Sequence, residues 1–289
     1  MFVGTIREIW RYPVKSMRGE KRSQCRIEPT YGIPGDRGWA TWDIQRNQVW
    51  NAKRFPALLQ CSARYCEEPA GGSTPRVEVQ LPNGSHIETD EPDASMKLSS
   101  CLGRDLRFVD RRPADDLDHY RRAASGKNPE EEVREDFGLL PNEPLPSFEG
   151  FPPELFRYVS PPGTYFDAYE IHALTTASLS EVARLSASST VDARRFRPNL
   201  LIQSPDGVIG LPEHDWSGGE LRIGAVRLQV VRVMTRCAMV TSEQGDLPKD
   251  TALMRTLVRE TNYNLGSALS VLVPGEVSLG DPVEFVRQH

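Results

Sequence analysis

Arg236 and Cys237 stand directly after a predicted strand, and together they could do chemistry. Residues 230–235 are mostly apolar and alternate with other side chains, which is typical of a strand. A guanidinium next to a thiol favours the thiolate, which is both a nucleophile and a metal ligand. A lone cysteine at the end of an apolar strand can equally be a small buried hydrophobic residue. The sequence therefore indicates a reactive or metal-binding Cys237, with a packed core residue as the alternative.

Basic residues are concentrated near the N-terminus of an otherwise acidic protein. Residues 7–22 contain six basic and two acidic side chains. Residues 2–14 alternate loosely as a strand that breaks at Pro13, and Lys15 and Ser16 follow this break. The segment is interpreted as an anion site, and the alternative is a solvated edge strand whose lysines prevent aggregation.

A glycine-rich turn over residues 32–39 leads into a second predicted strand. It would bring backbone amides close to a ligand, and the planar guanidinium of Arg37 is suited to phosphate. A local ion pair between Asp36 and Arg37 is the simpler interpretation.

Three arginines that end with Arg197 stand ahead of another apolar strand, where Asn199 can cap a backbone group or contact a heterocycle.

A helix start in the second half of the chain offers a further anion site. Residues 178–181 match a capping box that opens a helix, and Thr175 and Thr176 stand shortly before Ser178. Free backbone amides and the helix dipole would both favour a phosphate at this position. An ordinary N-cap explains the same pattern.

The order of the elements predicts a mainly β protein with helices, of the α+β class. A mostly β first unit closes near residue 110, and residues 111–163 are predicted to connect it to a second unit on which they partly pack. The predicted elements before the second unit are a hairpin turn at 82–85, a helix over 93–102, a strand over 106–109 and an acidic helix over 129–137.

The second unit is predicted to be a small β-barrel with attached helices. Its predicted elements are a strand over 165–174, a helix from 178, hairpins around Gly224–Ala225 and Gly280–Asp281, and a helix over 250–262.

Composition limits the classes of partner. Of the 289 residues, 26% are charged and 38% hydrophobic, which is typical of a globular protein, and the net charge of −5 argues against a general nucleic-acid binder. No apolar run approaches the ~20 residues of a membrane span, and the N-terminus does not resemble a signal peptide. The five cysteines are irregularly spaced, which favours a reducing compartment, and neither they nor the histidines show zinc-ligand spacing. We therefore expect a cytoplasmic protein that binds neither nucleic acid nor membrane.

Five motifs in this order resemble the MOSC superfamily, the C-terminal domain of molybdenum cofactor sulfurases, preceded by its N-terminal β-barrel partner. The motifs are Tyr12-Pro13-Val14-Lys15-Ser16, Gly35-Asp36-Arg37, Phe196-Arg197-Pro198-Asn199, Arg236-Cys237 and Gly280-Asp281-Pro282-Val283. The resemblance covers nearly the whole chain and is weakest over 111–163. It implies an N-terminal MOSC β-barrel domain over 1–110, a connecting segment over 111–163 and a MOSC β-barrel domain over 164–289.

The resemblance to the mitochondrial amidoxime-reducing components and their bacterial relatives implies a site as well. Cys237 would be the catalytic thiolate that binds molybdenum, and Arg236 would favour its ionisation. The residues implied to contact the molybdopterin and its phosphate are Lys15, Ser16, Arg37, Arg197 and Asn199, with looser matches at Thr175, Thr176 and Ser178. The molybdenum cofactor should then lie in the cleft between the two units.

The implied activity is reduction of N-hydroxylated small molecules such as amidoximes, N-hydroxy bases and hydroxylamines. Since the sequence has no flavin motif and no four-cysteine iron–sulfur pattern, electrons would come from a separate ferredoxin- or cytochrome-like protein and its reductase. One alternative is a cofactor carrier or sulfur-handling protein in which Cys237 bears a persulfide. The full sulfurases of the family add a pyridoxal-phosphate desulfurase, which this sequence does not contain. Another alternative is a binding module that has lost the metal.

Overall fold

Strands outnumber helices in the computed structural model, which describes residues 1–70 and 72–288. The strands are β1 (Phe2–Arg11), β2 (Glu20–Arg22), β3 (Gln24–Ile27), β4 (Trp39–Asp43), β5 (Gln48–Val49), β6 (Ser62–Tyr65), β7 (Val77–Gln80), β8 (His86–Glu88), β9 (Leu106–Asp110), β10 (Ile171–Thr175), β11 (Leu200–Gln203), β12 (Glu220–Ile223), β13 (Val226–Thr235), β14 (Asn264–Val273), β15 (Gly275–Ser278) and β16 (Pro282–Val286). The helices are α1 (Ala94–Leu102), α2 (Leu117–Tyr120), α3 (Pro129–Phe137), α4 (Glu154–Arg157), α5 (Thr176–Leu185), α6 (Ala193–Phe196) and α7 (Thr251–Thr261), with short 3-10 turns at Pro56–Gln60, Pro212–Trp216 and Ala238–Thr241. The predicted mainly β, α+β fold class is confirmed.

Seven strands close a barrel in the order β1, β11, β10, β14, β13, β12 and β16, and β16 pairs with β1 again. The pair β10–β11 is parallel and the other pairs are antiparallel. Alternate residues of the strands fill the interior, among them Ile6 and Ile9 of β1. A bulge lets β1 pass between its two neighbours, and Gly4 is required there because an added Cβ would lie 2.1 Å from the carbonyl oxygen of Gln203.

The first strand of the chain is part of the barrel that the second half builds. The prediction assigns residues 1–110 to a separate first unit, whereas β1 pairs with β11 and β16, and β3 pairs with β15. The domain boundaries at residues 110 and 163 stay a prediction. The barrel itself requires residues from both ends of the sequence.

The rest of the first unit surrounds a core of its own. Two three-stranded sheets, β5-β4-β9 and β6-β7-β8, pack with α1 around buried side chains such as Trp50, Leu98 and Phe108. The predicted hairpin between β7 and β8 is confirmed. The predicted helix α1 is confirmed too, and it ends at Gly103 in the left-handed conformation that glycine adopts at low cost.

Helices cover one outer face of the barrel. Along β10 the side chain of Ala173 points into the barrel core, whereas Leu174 packs into a second cluster with Leu253 and Leu257 of α7. This alternation is the period of two expected of a strand. The predicted helices α3 and α7 are confirmed, and α3 begins with a capping box at Asn128.

Three sequence predictions in the second half are wrong in detail. The strand predicted over 165–174 begins only at Ile171, at the end of an irregular stretch. The helix predicted from Ser178 is capped instead by Thr175, whose hydroxyl accepts a hydrogen bond from the Ser178 amide at 3.1 Å. The turn at Gly280–Asp281 joins two different sheets rather than a hairpin, because β15 pairs with β3 while β16 pairs with β1 and β12.

Candidate functional site

Asp36 brings three of the predicted motifs together. The carboxylate is fully buried, and it accepts hydrogen bonds from the Tyr12 amide at 2.7 Å and from the Asn199 side chain at 3.0 Å. Arg37 donates a further hydrogen bond to the same carboxylate. An ionised carboxylate has acceptor capacity for all of these donors. The Asp36–Arg37 pair is therefore more than a local ion pair, since it joins segments that are far apart in the sequence.

Three predicted site residues have an unusual backbone conformation. The φ angles are 69° at Ser16, 50° at Arg37 and 54° at Arg197, which places all three in the left-handed region. This conformation costs a non-glycine residue roughly 1–2 kcal/mol and persists only where the surrounding structure enforces it. Such residues are concentrated at binding and active sites, so this geometry supports the grouping that the motifs predict.

From the loop after β1, Lys15 bonds to the second half of the chain and Ser16 bonds within the first half. The buried Lys15 ammonium donates to the Tyr165 carbonyl at 2.8 Å and to the Asp167 carboxylate at 2.7 Å. Burial lowers the pKa of Lys15, and Asp167 opposes this change. The Ser16 hydroxyl accepts from the Ala52 amide at 2.9 Å, which fixes the backbone next to Lys53.

Arg37 and Arg197 share the ring of Tyr12. The guanidinium carbon of Arg197 lies 4.1 Å from the ring centroid, and that of Arg37 lies 5.1 Å from it. One nitrogen of Arg197 donates to the Met17 carbonyl at 2.6 Å, whereas its Nη2 is buried without a hydrogen-bond partner. Burial, and then the charge of Arg37, lower the pKa of Arg197 to about 10.

Cys237 lies on the wall of a cavity of about 430 Å³. Side chains from three parts of the chain line it: Lys53 from the first unit, Phe148 and Phe151 from the connecting segment, and Asp167 beside Cys237 from the second unit. The connecting segment is therefore part of the site, although the motifs in the sequence do not include it. Its aromatic rings pack edge to face, with Phe148 and Phe151 centroids 5.8 Å apart, and give the cavity an apolar side.

Lys53, rather than Arg236, is the main cation acting on Cys237. Burial raises the pKa of the Cys237 thiol, and the nearby charge of Lys53 opposes this rise more strongly than that of Arg236. Arg236 donates instead to the Phe196 carbonyl, and its Nη1 lies 3.5 Å from Nε2 of His172. Arg236 also lowers the pKa of the thiol, in the direction that the sequence predicts, but less than Lys53 does.

The side chains of four residues predicted to contact the cofactor form hydrogen bonds within the protein. Asn199 donates to Asp36 and to the Trp10 carbonyl, and its side-chain oxygen accepts from the His172 amide at 3.1 Å. At the start of α5, the hydroxyls of Thr175 and Ser178 donate to the buried Glu213 at 2.8 and 2.5 Å, and Thr176 accepts from the Ser204 amide at 3.0 Å.

A protein carboxylate therefore lies at the start of α5, where the sequence suggested a phosphate. Of the predicted site residues, Arg236 and Cys237 line the cavity, whereas Lys15, Ser16, Arg37, Thr175, Thr176, Ser178, Arg197 and Asn199 do not. The role of Thr175, Thr176 and Ser178 as cofactor contacts stays a prediction.

The site holds more positive than negative charge. Its cations are Lys15, Arg37, Lys53, Arg197 and Arg236, and the carboxylates nearest to them are Asp36, Asp136 and Asp167. Buried donors without a partner remain on two of the arginines, at Nη2 of Arg197 and Nε of Arg236. Burying an uncompensated cation is costly, so the arrangement fits an anionic ligand between the two units.

The described residues were compared with the requirements of a metal-ion cluster and of a membrane-spanning helix. Within residues 1–70 and 72–288, no group of three or more His, Cys, Asp or Glu side chains is arranged to hold a metal ion. None of the helices in the described part of the chain is long and apolar enough to cross a membrane.

Comparisons with known proteins agree with the motifs. Residues 162–284 match the family model of the MOSC domain, and residues 3–123 match that of the MOSC N-terminal beta barrel domain. The chain is similar to the mitochondrial amidoxime-reducing component 1 of Mus musculus, at 27% identity over 99% of this chain and 83% of the relative. The same protein of Homo sapiens is 24% identical over 99% of this chain and 84% of the relative.

Among solved structures, the YUAD protein from Bacillus subtilis aligns with 99% of this chain and 97% of its own, at 12% identity and a TM-score of 0.44. The two family models follow one another along the chain and contain all five motifs. This chain therefore belongs to the MOSC-domain proteins that carry the MOSC N-terminal β-barrel domain.

Proposed function

We propose that the protein binds a molybdenum cofactor through Cys237 and reduces N-hydroxylated small molecules. One observation carries this proposal: a single thiol lies on the wall of a 430 Å³ cavity, next to buried cations that the protein's own carboxylates do not fully balance. A thiolate suits a soft metal, and guanidinium groups suit the phosphate of a pterin cofactor. The names of the mouse and human relatives, which call them amidoxime-reducing components, support the same activity.

The residues present fit such a cofactor. Arg236, on the wall of the same cavity, would direct its free Nε donor at an anionic group of the cofactor, and Cys237 would bind the metal. When bound, the cofactor supplies two-electron chemistry at its molybdenum. Reduction of an N–OH group to N–H consumes two electrons and two protons and releases water. The electrons would come from a separate redox protein.

The protein's own residues hold charge in place around Cys237. Because burial raises the pKa of its thiol, metal binding has to displace a proton, and the ammonium of Lys53 favours this loss. Burial also raises the pKa of Asp167, but Lys15 and then Lys53 outweigh this effect and keep the carboxylate ionised. The Lys15–Asp167 pair thus holds one edge of the cavity in a fixed position.

Metal analysis and a reductase assay test this proposal directly. Protein purified from a molybdenum-replete host should contain molybdenum and should reduce an amidoxime with a chemical electron donor such as reduced methyl viologen. Cys237→Ala should lose the activity and most of the metal, because the thiolate is the proposed protein ligand. Cys101→Ala is the matched control, since Cys101 is also partly exposed but lies outside the cavity.

Full molybdenum content and full activity in Cys237→Ala would refute the proposal. Wild-type protein that carries a persulfide on Cys237, but no reductase activity, would instead favour the sulfur-handling alternative.

A further inference from the structure

A second, smaller cavity has Tyr12 on its wall. Its volume is about 170 Å³, and residues from both halves of the chain line it, including Tyr12, Arg18, Arg197 and Gln244. One water molecule occupies about 30 Å³ of liquid, so the space admits a group larger than a single water.

Three buried nitrogen donors on the wall of this cavity have no hydrogen-bond partner. They are Nε of Arg18, Nη2 of Arg197 and Nε2 of Gln244. Other atoms of the two arginines are satisfied, since Arg18 donates to the Gln60 carbonyl at 3.0 Å and Arg197 to the Met17 carbonyl. A buried donor without a partner costs about 1–3 kcal/mol, so three of them around one cavity indicate a missing acceptor.

Charge in this cavity also favours an anion. Arg194 on its wall is paired with Asp192 at 2.8 Å and with Asp246 at 2.6 Å. Within the described residues neither Arg18 nor Arg197 forms a salt bridge. The two guanidinium groups therefore carry positive charge that no neighbouring carboxylate pairs directly.

The surrounding backbone fixes these groups in position. A Cβ added to Gly245 would lie 2.7 Å from a terminal nitrogen of Arg18, and one added to Gly19 would lie 2.6 Å from the Tyr12 ring. Arg197 lies in the left-handed region with its guanidinium on the same ring. A pre-ordered fork of donors is the arrangement that tetrahedral oxyanions require.

We propose that this second cavity is an oxyanion site that binds a phosphate group through Arg18, Arg197 and Gln244. The phosphate is either free inorganic phosphate or the phosphate of the bound cofactor, and only the latter case rests on the proposed function. None of the five motifs includes Arg18 or Gln244.

Phosphate titration separates these cases. Cofactor-free protein, from a host that cannot make the cofactor, should bind inorganic phosphate in a calorimetric titration. Arg18→Gln should weaken this binding at least tenfold, and Gln244→Met should weaken it as well. Arg7→Gln is the control and should leave it unchanged, because Arg7 is exposed and bonded to Gln203 outside the cavity.

The same titration of cofactor-loaded protein identifies the source. If loaded protein no longer binds phosphate and Arg18→Gln lowers the pterin content, the cofactor's own phosphate occupies the cavity. If loaded protein still binds phosphate, the site serves the free anion. Cofactor-free protein that binds no phosphate, with normal pterin content in Arg18→Gln, would overturn the inference. So would tight phosphate binding by folded Arg18→Gln and Gln244→Met. Neither the phosphate titration nor the measurement of pterin content depends on molybdenum or on reductase activity.

Discussion

At the scale of single residues, the site depends on buried charges that compensate one another. Asp36 has no side-chain exposure and joins Tyr12, Arg37 and Asn199. The motifs in the sequence contain all four residues, but a sequence does not show that one carboxylate bonds the other three. Lys53 is the clearest residue that the motifs miss, because its effect on Cys237 depends on the fold bringing distant segments together. Asp167 is missed for the same reason.

Buried His172 should make the stability of the protein depend on pH. Burial, and then the charge of Arg236, hold its pKa well below the ordinary value of 6.5. The folded protein therefore excludes a proton that the unfolded chain binds below that pH. The free energy of unfolding should be fully retained above about pH 6.5 and should fall as the pH drops below it, by at most about 1.4 kcal/mol per pH unit.

Urea unfolding of the cofactor-free protein at pH 5, 6, 7 and 8 measures this effect. In His172→Gln the decrease between pH 7 and pH 5 should be smaller than in the wild type, because glutamine does not titrate. Equal decreases in the two proteins would show that His172 does not control this range.

At the scale of elements, strand and helix patterns predict most of the fold, and pairing between distant strands is what they miss. The helices α1, α3 and α7 show clear capping and periodicity, so their positions are predicted correctly. The segment before Ile171 resembles a strand in composition, but its backbone binds Lys15 through the Tyr165 carbonyl instead of entering a sheet. Local sequence contains no information about that partner.

Gly266 of β14 packs closely against His172 of β10. Gly266 has a φ of 82°, and an added Cβ would lie 2.2 Å from Nε2 of His172 and 2.8 Å from the Ala173 carbonyl oxygen. Because the His172 ring is buried, it cannot move away. Gly266→Ala should therefore destabilise the protein by about 3 kcal/mol or more, which combines backbone strain with a steric overlap.

Gly84→Ala is a matched control for this change. Gly84 has a φ of 84°, but an added Cβ would meet no atom within 4 Å. Its substitution should cost only the backbone strain, roughly 1–2 kcal/mol. Chemical denaturation of both variants measures the difference, and equal losses of stability would rule out the overlap with His172.

At the scale of the whole molecule, the two ends of the chain build one barrel. Residues 162–284 match the MOSC family model, yet β1 stands between β11 and β16 and closes the ring. The sequence does not reveal this contribution, because β1 has the alternation expected of any half-buried strand. The same closure places Tyr12 in contact with Pro198, next to Arg197, and Lys15 in contact with Asp167, which lines the cavity together with Cys237.

A fragment of residues 162–288 should therefore not fold by itself. Without β1, both β11 and β16 would present open edges, and apolar interior residues such as Ile202 and Val283 would lose their cover. The chain ends are adjacent, since the Met1 amino group donates to the Phe285 carbonyl at 2.8 Å. A permuted fragment, in which a short glycine–serine linker joins residue 288 to residues 1–28, should restore β1 and the β3–β15 pair and should unfold cooperatively. The same fragment with residues 1–28 in scrambled order is the control. Cooperative urea unfolding of fragment 162–288 alone, at the midpoint of the permuted form, would show that the barrel does not need the N-terminal strand.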